Sequence, residues 1–299
     1  MLLAACAHGP GTTQTAGGTI SLVNVVPDFL AAWDEVRTAP RPDQVARTRQ
    51  ALRASRPELF GIEVFGPEAS LDRDLEKLLV EMPRLDPKLR ALSERMPGEV
   101  ERSARRFLDQ FPELDWSGPV ALSLSFSHFE AVWRTVSGRR TLVLGLDAIA
   151  FYRGPYAPVE PLVQHALASA LLPGWKGPGP APLWWALWEE GFPLAAVRTL
   201  DPDATDADLR LGPEGKDPAY LAALARRVRG ALDSTKEVDR RQLTGAPGAA
   251  PASGGRWLAL RVAQKILAGR SLHDAARLGG PQLRASVDVA LAALERPGS

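Results

Sequence analysis

Side chains that can bind a metal or move a proton are concentrated in Val159–Val197. The stretch predicts two apolar helices joined by a Pro/Gly loop, because its long apolar runs are interrupted by a cluster of helix-breaking residues. The first helix carries His165, and the second carries the adjacent Glu189 and Glu190, followed by Gly191. Imidazole and carboxylate groups on neighbouring helices can ligate zinc or transfer protons. The stretch is therefore the candidate functional site.

The spacing within the first helix can be compared with the H-E-x-x-H pattern of zinc peptidases. There, two histidines at i and i+4 bind one metal, the glutamate is the general base, and a later carboxylate completes three protein ligands. Here the window reads His165-Ala166-Leu167-Ala168-Ser169. The methyl group of Ala166 cannot accept a proton from water, and the hydroxyl of Ser169 is a poor zinc ligand beside imidazole. His165 and Glu190 remain, two ligands where catalytic zinc needs three.

The order of these motifs resembles a bacterial family of predicted zinc-dependent proteases, which are gluzincin-like and carry HExxH and EG motifs. The matching pieces are Leu144-Gly145-Leu146-Asp147, Leu162-Val163-Gln164-His165, Glu189-Glu190-Gly191-Phe192 and Gly255–Val262, within about Val120–Leu294. The resemblance implies a zincin-like scaffold. It places Ala166 at the general-base position and Ser169 at the second histidine ligand, so the chain resembles a degenerate member with HALAS in place of HExxH.

Periodicity elsewhere predicts an α+β fold that is mainly helical. Val120–Phe126 alternates apolar and polar residues as a strand does, with Ser123, Ser125 and Ser127 on one polar face. Ala131–Val136 and Arg140–Leu146 flank Ser137-Gly138, a hairpin signal. We therefore expect a small antiparallel sheet packed on the helix pair.

One zincin-like domain is expected over residues 20–299. It comprises N-terminal helices at 20–115, the sheet and central helix pair at 116–200, and C-terminal helices at 201–299. Within the first part, Pro83 and Pro87 are expected to divide a helical segment that begins at Ser70.

The N-terminus carries a second motif. Leu3-Ala4-Ala5-Cys6 resembles the lipobox of bacterial lipoproteins, and a Gly/Thr-rich tract follows it. Residues 1–19 are therefore expected to be a lipobox and a flexible tether, with Cys6 lipidated and the domain anchored at the cell envelope, facing the periplasm or exterior. Only Met1 and Leu2 precede the box, so either the start is assigned too late or the match is chance, in which case a cytoplasmic protein is expected.

Whole-chain properties exclude several classes of protein. The 299 residues carry a net charge of +1, which lacks the basic excess of a nucleic-acid-binding surface. There is no apolar run of the length that spans a bilayer. Cys6 is the single cysteine, so an internal disulfide and a cysteine-based zinc site are excluded.

Four tryptophans in the candidate stretch have two interpretations. They either line a groove that holds a peptide, glycan or lipid, or they pack the helices. They are Trp175, Trp184, Trp185 and Trp188. A buried carboxylate next to them needs a partner, and His165 is the expected partner of Glu190.

The leading expectation is a non-catalytic, zincin-like lipoprotein that binds an unidentified protein or peptide and needs no cofactor. One alternative is an active zinc-dependent hydrolase with a rearranged site that uses His165, Glu189 or Glu190, with Asp147 or Glu160. A second alternative is a purely structural lipoprotein.

Overall fold

The computed structural model describes residues 11–15, 18–60, 68–112, 118–244 and 253–296. Contacts divide the chain into two compact units, Met1–Val159 and Glu160–Ser299. The division falls inside the segment 116–200, which was predicted to contain both the sheet and the central helix pair. Each unit is described by itself below.

Unit 1 is built on a mixed sheet. In spatial order β1-β2-β3-β5-β4, its strands are β1 Gly11–Thr15, β2 Gly18–Asn24, β3 Pro119–Ser123, β5 Arg139–Gly145 and β4 Ala131–Val136. The three inner strands β2, β3 and β5 run parallel, and the two outer strands are antiparallel to their neighbours. The expectation of an antiparallel sheet was therefore wrong. A parallel pair needs a long crossover, and the helices between β2 and β3 provide the length for one.

The hairpin prediction is confirmed. Val136 pairs with Arg139, and the two residues between them have positive φ, 48° at Ser137 and 75° at Gly138. Two consecutive left-handed residues are typical of the type I′ turn that joins antiparallel strands.

The segment 1–19 contains more structure than a tether. β1, rich in threonine, pairs antiparallel with β2 from Gly11↔Leu22 to Thr15↔Gly18. Threonine is β-branched and favours strands, so this part of the Gly/Thr tract completes the sheet. Cys6 lies outside the described residues, five positions before β1.

The described residues of unit 1 form five helices. They are α1 Val26–Val36, α2 Arg41–Ser55, α3 Pro57–Phe60, α4 Glu68–Gln110 and α5 Leu146–Tyr152. The helix α4 continues through the prolines that were expected to divide it. Pro83 and Pro87 lie on its exposed side, while a row of leucines on the opposite side is buried. The helix is 43 residues long, and burial of its leucine row offsets the cost of each proline, about 3 kcal/mol.

In unit 2, every element of regular secondary structure among the described residues is a helix. The unit contains α6 Glu160–Leu171, α7 Leu183–Leu200, a 3-10 turn at Pro213–Lys216, α8 Pro218–Gly230, α9 Glu237–Thr244, α10 Ser253–Leu267, α11 Leu272–Ala276 and α12 Gly280–Leu294. The predicted helix pair is confirmed as α6 and α7. The helix α7 is apolar and buried on nearly all sides, which is typical of a central helix. Both α6 and α10 pack against it.

Candidate functional site

The helix α6 carries the three positions compared with the zinc-peptidase motif. Ala166 is buried, while His165 and Ser169 are partly exposed. The Ser169 hydroxyl donates a hydrogen bond of 2.9 Å to the carbonyl oxygen of His165, one turn earlier. Serine in a helix interior often makes this bond to its own backbone. Ser169, which stands where the zinc-peptidase motif has its second histidine, is therefore bonded to the backbone of its own helix.

Glu190 on α7 is ion-paired with Arg256 on α10. The side chains are 23% and 13% exposed, so both charges are largely removed from water. Arg256 also donates a 3.0 Å hydrogen bond from Nη2 to the carbonyl oxygen of Leu209. A buried carboxylate needs such a charged partner to offset its loss of hydration.

Sequence reasoning did not assign this role to Arg256. His165 was the expected partner of Glu190, although Arg256 lies within the motif segment Gly255–Val262. The available signal was an arginine followed directly by the apolar run Trp257–Leu260, within the segment Gly255–Val262. An arginine there needs a carboxylate or carbonyl partner, because its guanidinium keeps its charge when buried.

Gly191 explains how these two helices come close together. A Cβ at this position would lie 2.1 Å from the carbonyl oxygen of Ala259 on α10. Only glycine allows the backbones to approach at that distance. The motif pieces around Glu190-Gly191 and Arg256 therefore meet at one helix crossing, which holds the ion pair beside it.

Glu189 differs from its neighbour in its surroundings. Its side chain is exposed on one side, but partial burial against the helix layer raises the pKa of its carboxyl. The cation of Arg240 opposes this rise in pKa, and the like charge of Glu190 adds to it. Glu189 is thus a surface carboxylate that gains a proton more readily than an ordinary glutamate.

The tryptophans of the stretch form a packed cluster. Trp184 and Trp185 are 5% and 3% exposed, and Trp188 is fully buried against Phe192 with 5.1 Å between ring centroids. The partly exposed Trp175 contacts both Trp184 and Trp185, at centroid distances of 5.4 and 5.9 Å. The burial of three of the four fits the packing interpretation better than a groove lining.

The two further candidates of the rearranged-site alternative have other bonds. Glu160, in the first turn of α6, accepts a 3.1 Å hydrogen bond from Gln164. Asp147, in unit 1, is fully buried at the start of α5. It accepts 2.6 Å hydrogen bonds from the backbone N–H groups of Ser125 and Ser127, and one of 3.1 Å from the Ser125 hydroxyl.

These bonds also correct the predicted polar face of β3. Ser123 and Ser125 are buried, 2% and 0% exposed, because β3 lies inside the sheet and Asp147 bonds the residues that follow it. Phe126 and Ser127 have φ of 54° and 63°, a left-handed conformation that costs energy without glycine. The Asp147 carboxylate therefore fixes a strained loop.

Replacing Asp147 by asparagine is expected to lower the free energy of unfolding by about 1–3 kcal/mol at pH 7, because an amide NH₂ cannot accept from the second backbone N–H. Burial raises the pKa of Asp147, and the hydrogen bonds oppose this. A raised pKa means that the carboxyl of Asp147 binds a proton more tightly in the folded chain than in the unfolded chain. This contribution to stability is largest at acid pH and is lost as the pH rises through the folded pKa. Urea unfolding from pH 4 to pH 7 should show that loss in the parent chain and not in Asp147→Asn; parallel pH curves would contradict it.

Zinc does not fit the residues of the α6–α7 pair. Of the two remaining candidate ligands, His165 and Glu190, the carboxylate of Glu190 is ion-paired with Arg256. Ser169, at the position of the second histidine ligand, bonds its hydroxyl to the helix backbone. Across the part of the chain that the structure describes, there is no group of three or more His, Cys, Asp or Glu side chains that could hold a metal ion. Among the same residues, no helix is long and apolar enough to cross a membrane.

Family models, curated proteins and solved structures were each compared with the chain, and none of the three comparisons found a match.

Proposed function

We propose that this protein is a non-catalytic, zincin-like bacterial lipoprotein whose role is to bind a protein or peptide. The observation that carries the proposal is the ion pair between Glu190 and Arg256. A guanidinium that holds this carboxylate in a largely buried position repels a divalent cation brought to the same oxygen atoms. Arginine keeps its charge at every accessible pH, so this repulsion is permanent.

Two further features support the absence of hydrolysis. Ala166 offers no group that accepts a proton from water, and the Ser169 hydroxyl is bonded to the helix backbone. Loss of a general base alone lowers the rate by roughly 10²–10⁴-fold. A scaffold that lacks the general base and the metal ion cannot hydrolyse a peptide, but its surface can still bind a protein or peptide.

Metal analysis of the purified full chain tests the proposal directly. We expect less than one zinc per chain after dialysis against zinc-containing buffer, and no cleavage of an unfolded protein substrate. One tightly bound zinc per chain, or zinc-dependent cleavage, would contradict a non-catalytic role.

Restoration variants test the zincin-like scaffold. Ala166→Glu with Ser169→His supplies the missing base and ligand, but Arg256 still neutralises Glu190, so this double variant should bind zinc weakly. Adding Arg256→Gln frees the carboxylate as the third ligand, and the triple variant should bind one zinc per chain. Arg256→Gln alone is the control and should bind none. A triple variant that folds, by circular dichroism, and binds no zinc would overturn the zincin-like assignment.

The lipoprotein part of the proposal has its own test. Cells that express the full chain with its natural upstream region should incorporate labelled palmitate into the protein, and Cys6→Ser should abolish the incorporation. Equal labelling of both chains would contradict lipidation at Cys6.

A further inference from the structure

Unit 1 displays three aromatic side chains at its surface, at the end of α5 and in the turn that follows. Phe151, Tyr152 and Tyr156 are 43%, 52% and 84% exposed. We call these three residues the aromatic patch. Phe151 and Tyr152 contact each other with 5.1 Å between ring centroids, and Tyr156 follows four positions later. Large exposed apolar groups are usually scattered singly, so neighbouring exposed rings favour an interaction surface.

The backbone on both sides of Tyr156 is fixed by hydrogen bonds within unit 1. Arg95 on α4 donates hydrogen bonds of 2.9 and 3.0 Å from Nη2 to the carbonyl oxygens of Pro155 and Ala157, the two neighbours of Tyr156. The same guanidinium is ion-paired with Glu99 at 2.7 Å. Tyr156 is therefore presented on a fixed backbone, which reduces the entropy lost when its ring is buried by a partner.

The surroundings of the patch are apolar and charged, and they include the exposed ion pair of Arg84 and Glu81, 2.8 Å apart. The guanidinium of Arg84 lies 5.1 Å from the centroid of the Phe151 ring. One turn earlier on α4, Val80 is 57% exposed, and one turn later stands Lys88. Aromatic rings beside lysine and arginine are typical of surfaces that lie at a bilayer interface, with rings at the headgroup level and cations near anionic lipid.

The register of the sheet places Gly11 at the edge from which α5 begins. Gly11, Leu22, Val120 and Leu142 form one row across the four strands, and the chain enters β1 from the edge where the parallel strands end. The helix α5 begins at that edge, directly after β5. Cys6 precedes Gly11 by five residues, which span at most about 17 Å. A lipid on Cys6 would hold this edge of the sheet close to the bilayer.

We propose that the aromatic patch docks unit 1 on the lipid bilayer to which Cys6 is anchored. This inference rests on the proposed lipid anchor. Partial insertion of the three rings and contact of Arg84 and Lys88 with anionic headgroups give a second attachment beside the lipid. Anchoring raises the local concentration of the patch at the bilayer, so a surface too small to bind membranes alone can still dock.

Chemical coupling allows the docking to be tested without natural lipidation. Cys6, the only cysteine, can be coupled to a maleimide phospholipid in vesicles of phosphatidylethanolamine and phosphatidylglycerol. Hydroxyl-radical footprinting then measures the exposure of the chain's three tyrosines. Relative to Tyr220 in unit 2, which is 43% exposed in the free chain, modification of Tyr152 and Tyr156 should fall about tenfold on coupling.

Variants and a competing partner complete the test. Arg84→Glu with Lys88→Glu should reduce the protection of both tyrosines, and the same exchange at Arg226 and Arg227, exposed in unit 2, should leave it unchanged. Unchanged tyrosine ratios on coupled vesicles would overturn the docking. Protection that appears with a membrane-free envelope extract and not with vesicles would also overturn it, and would assign the patch to a protein. If palmitate labelling fails but the tyrosines are still protected on vesicles, the proposed lipidation of Cys6 is contradicted, whereas the affinity of the patch for bilayers is not.

Discussion

Replacement of Arg153 by methionine is expected to lower the free energy of unfolding by about 3–5 kcal/mol, because it leaves the charge of Glu130 buried. Arg153 donates from Nε to one carboxylate oxygen of Glu130 at 2.9 Å and from Nη2 to the other at 3.0 Å. The side chains are only 10% and 7% exposed. The carbonyl oxygen of Glu130 also accepts a 3.0 Å hydrogen bond from Gly145, the last residue of β5. The pair therefore stabilises the end of the sheet from which α5 starts.

Urea unfolding with hydrogen exchange measures this effect and assigns it to unit 1. The matched control is Arg284→Met, which removes an exposed pair with Asp233 and should cost at most about 1 kcal/mol. Adding Glu130→Gln to Arg153→Met should recover much of the loss, because no charge then stays buried. A cost for Arg153→Met no larger than that of Arg284→Met would contradict the interpretation.

Gly191→Ala is expected to destabilise unit 2 by about 3 kcal/mol, at the upper end of the cost of overpacking. The added Cβ would meet the Ala259 carbonyl oxygen at 2.1 Å, so α7 and α10 would have to move apart. The higher helix propensity of alanine, about 1 kcal/mol, is outweighed by this clash. Separation of the helices would also strain the ion pair of Glu190 with Arg256.

Tryptophan fluorescence during urea unfolding is a suitable probe, because five of the eight tryptophans belong to unit 2, namely Trp175, Trp184, Trp185, Trp188 and Trp257. Gly230→Ala is the matched control: nothing lies within 4 Å of the added Cβ, so it should leave stability unchanged or raise it. Ala263→Gly removes the only side-chain carbon among the three nearest atoms, at 3.2 Å, and should not rescue Gly191→Ala. Rescue by Ala263→Gly would show that the backbone approach is not the constraint.

Local features of the fold could be predicted because neighbouring residues determine them. Ser137-Gly138 favours a tight turn whatever surrounds it, and the hairpin forms as predicted. The helix pair α6 and α7 follows from long apolar runs interrupted by a Pro/Gly loop. The same local rule failed for α4, where Pro83 and Pro87 were expected to divide a helical segment. Burial of a continuous leucine row, a tertiary effect, outweighed the local cost of proline there.

The partners of the buried charges required the tertiary structure. The sequence by itself determined that Glu190 stands in an apolar helix and needs a partner, and that Ala166 and Ser169 lack the chemistry of a zinc peptidase. It did not determine that Arg256, 66 positions later, is that partner, nor that Asp147 holds the loop after β3. The parallel pairing of β2 with β3 could not be predicted from the sequence either, since nearly a hundred residues separate the two strands. Pairing across such distances depends on how helices and strands pack, and side-chain spacing along the chain carries no record of it.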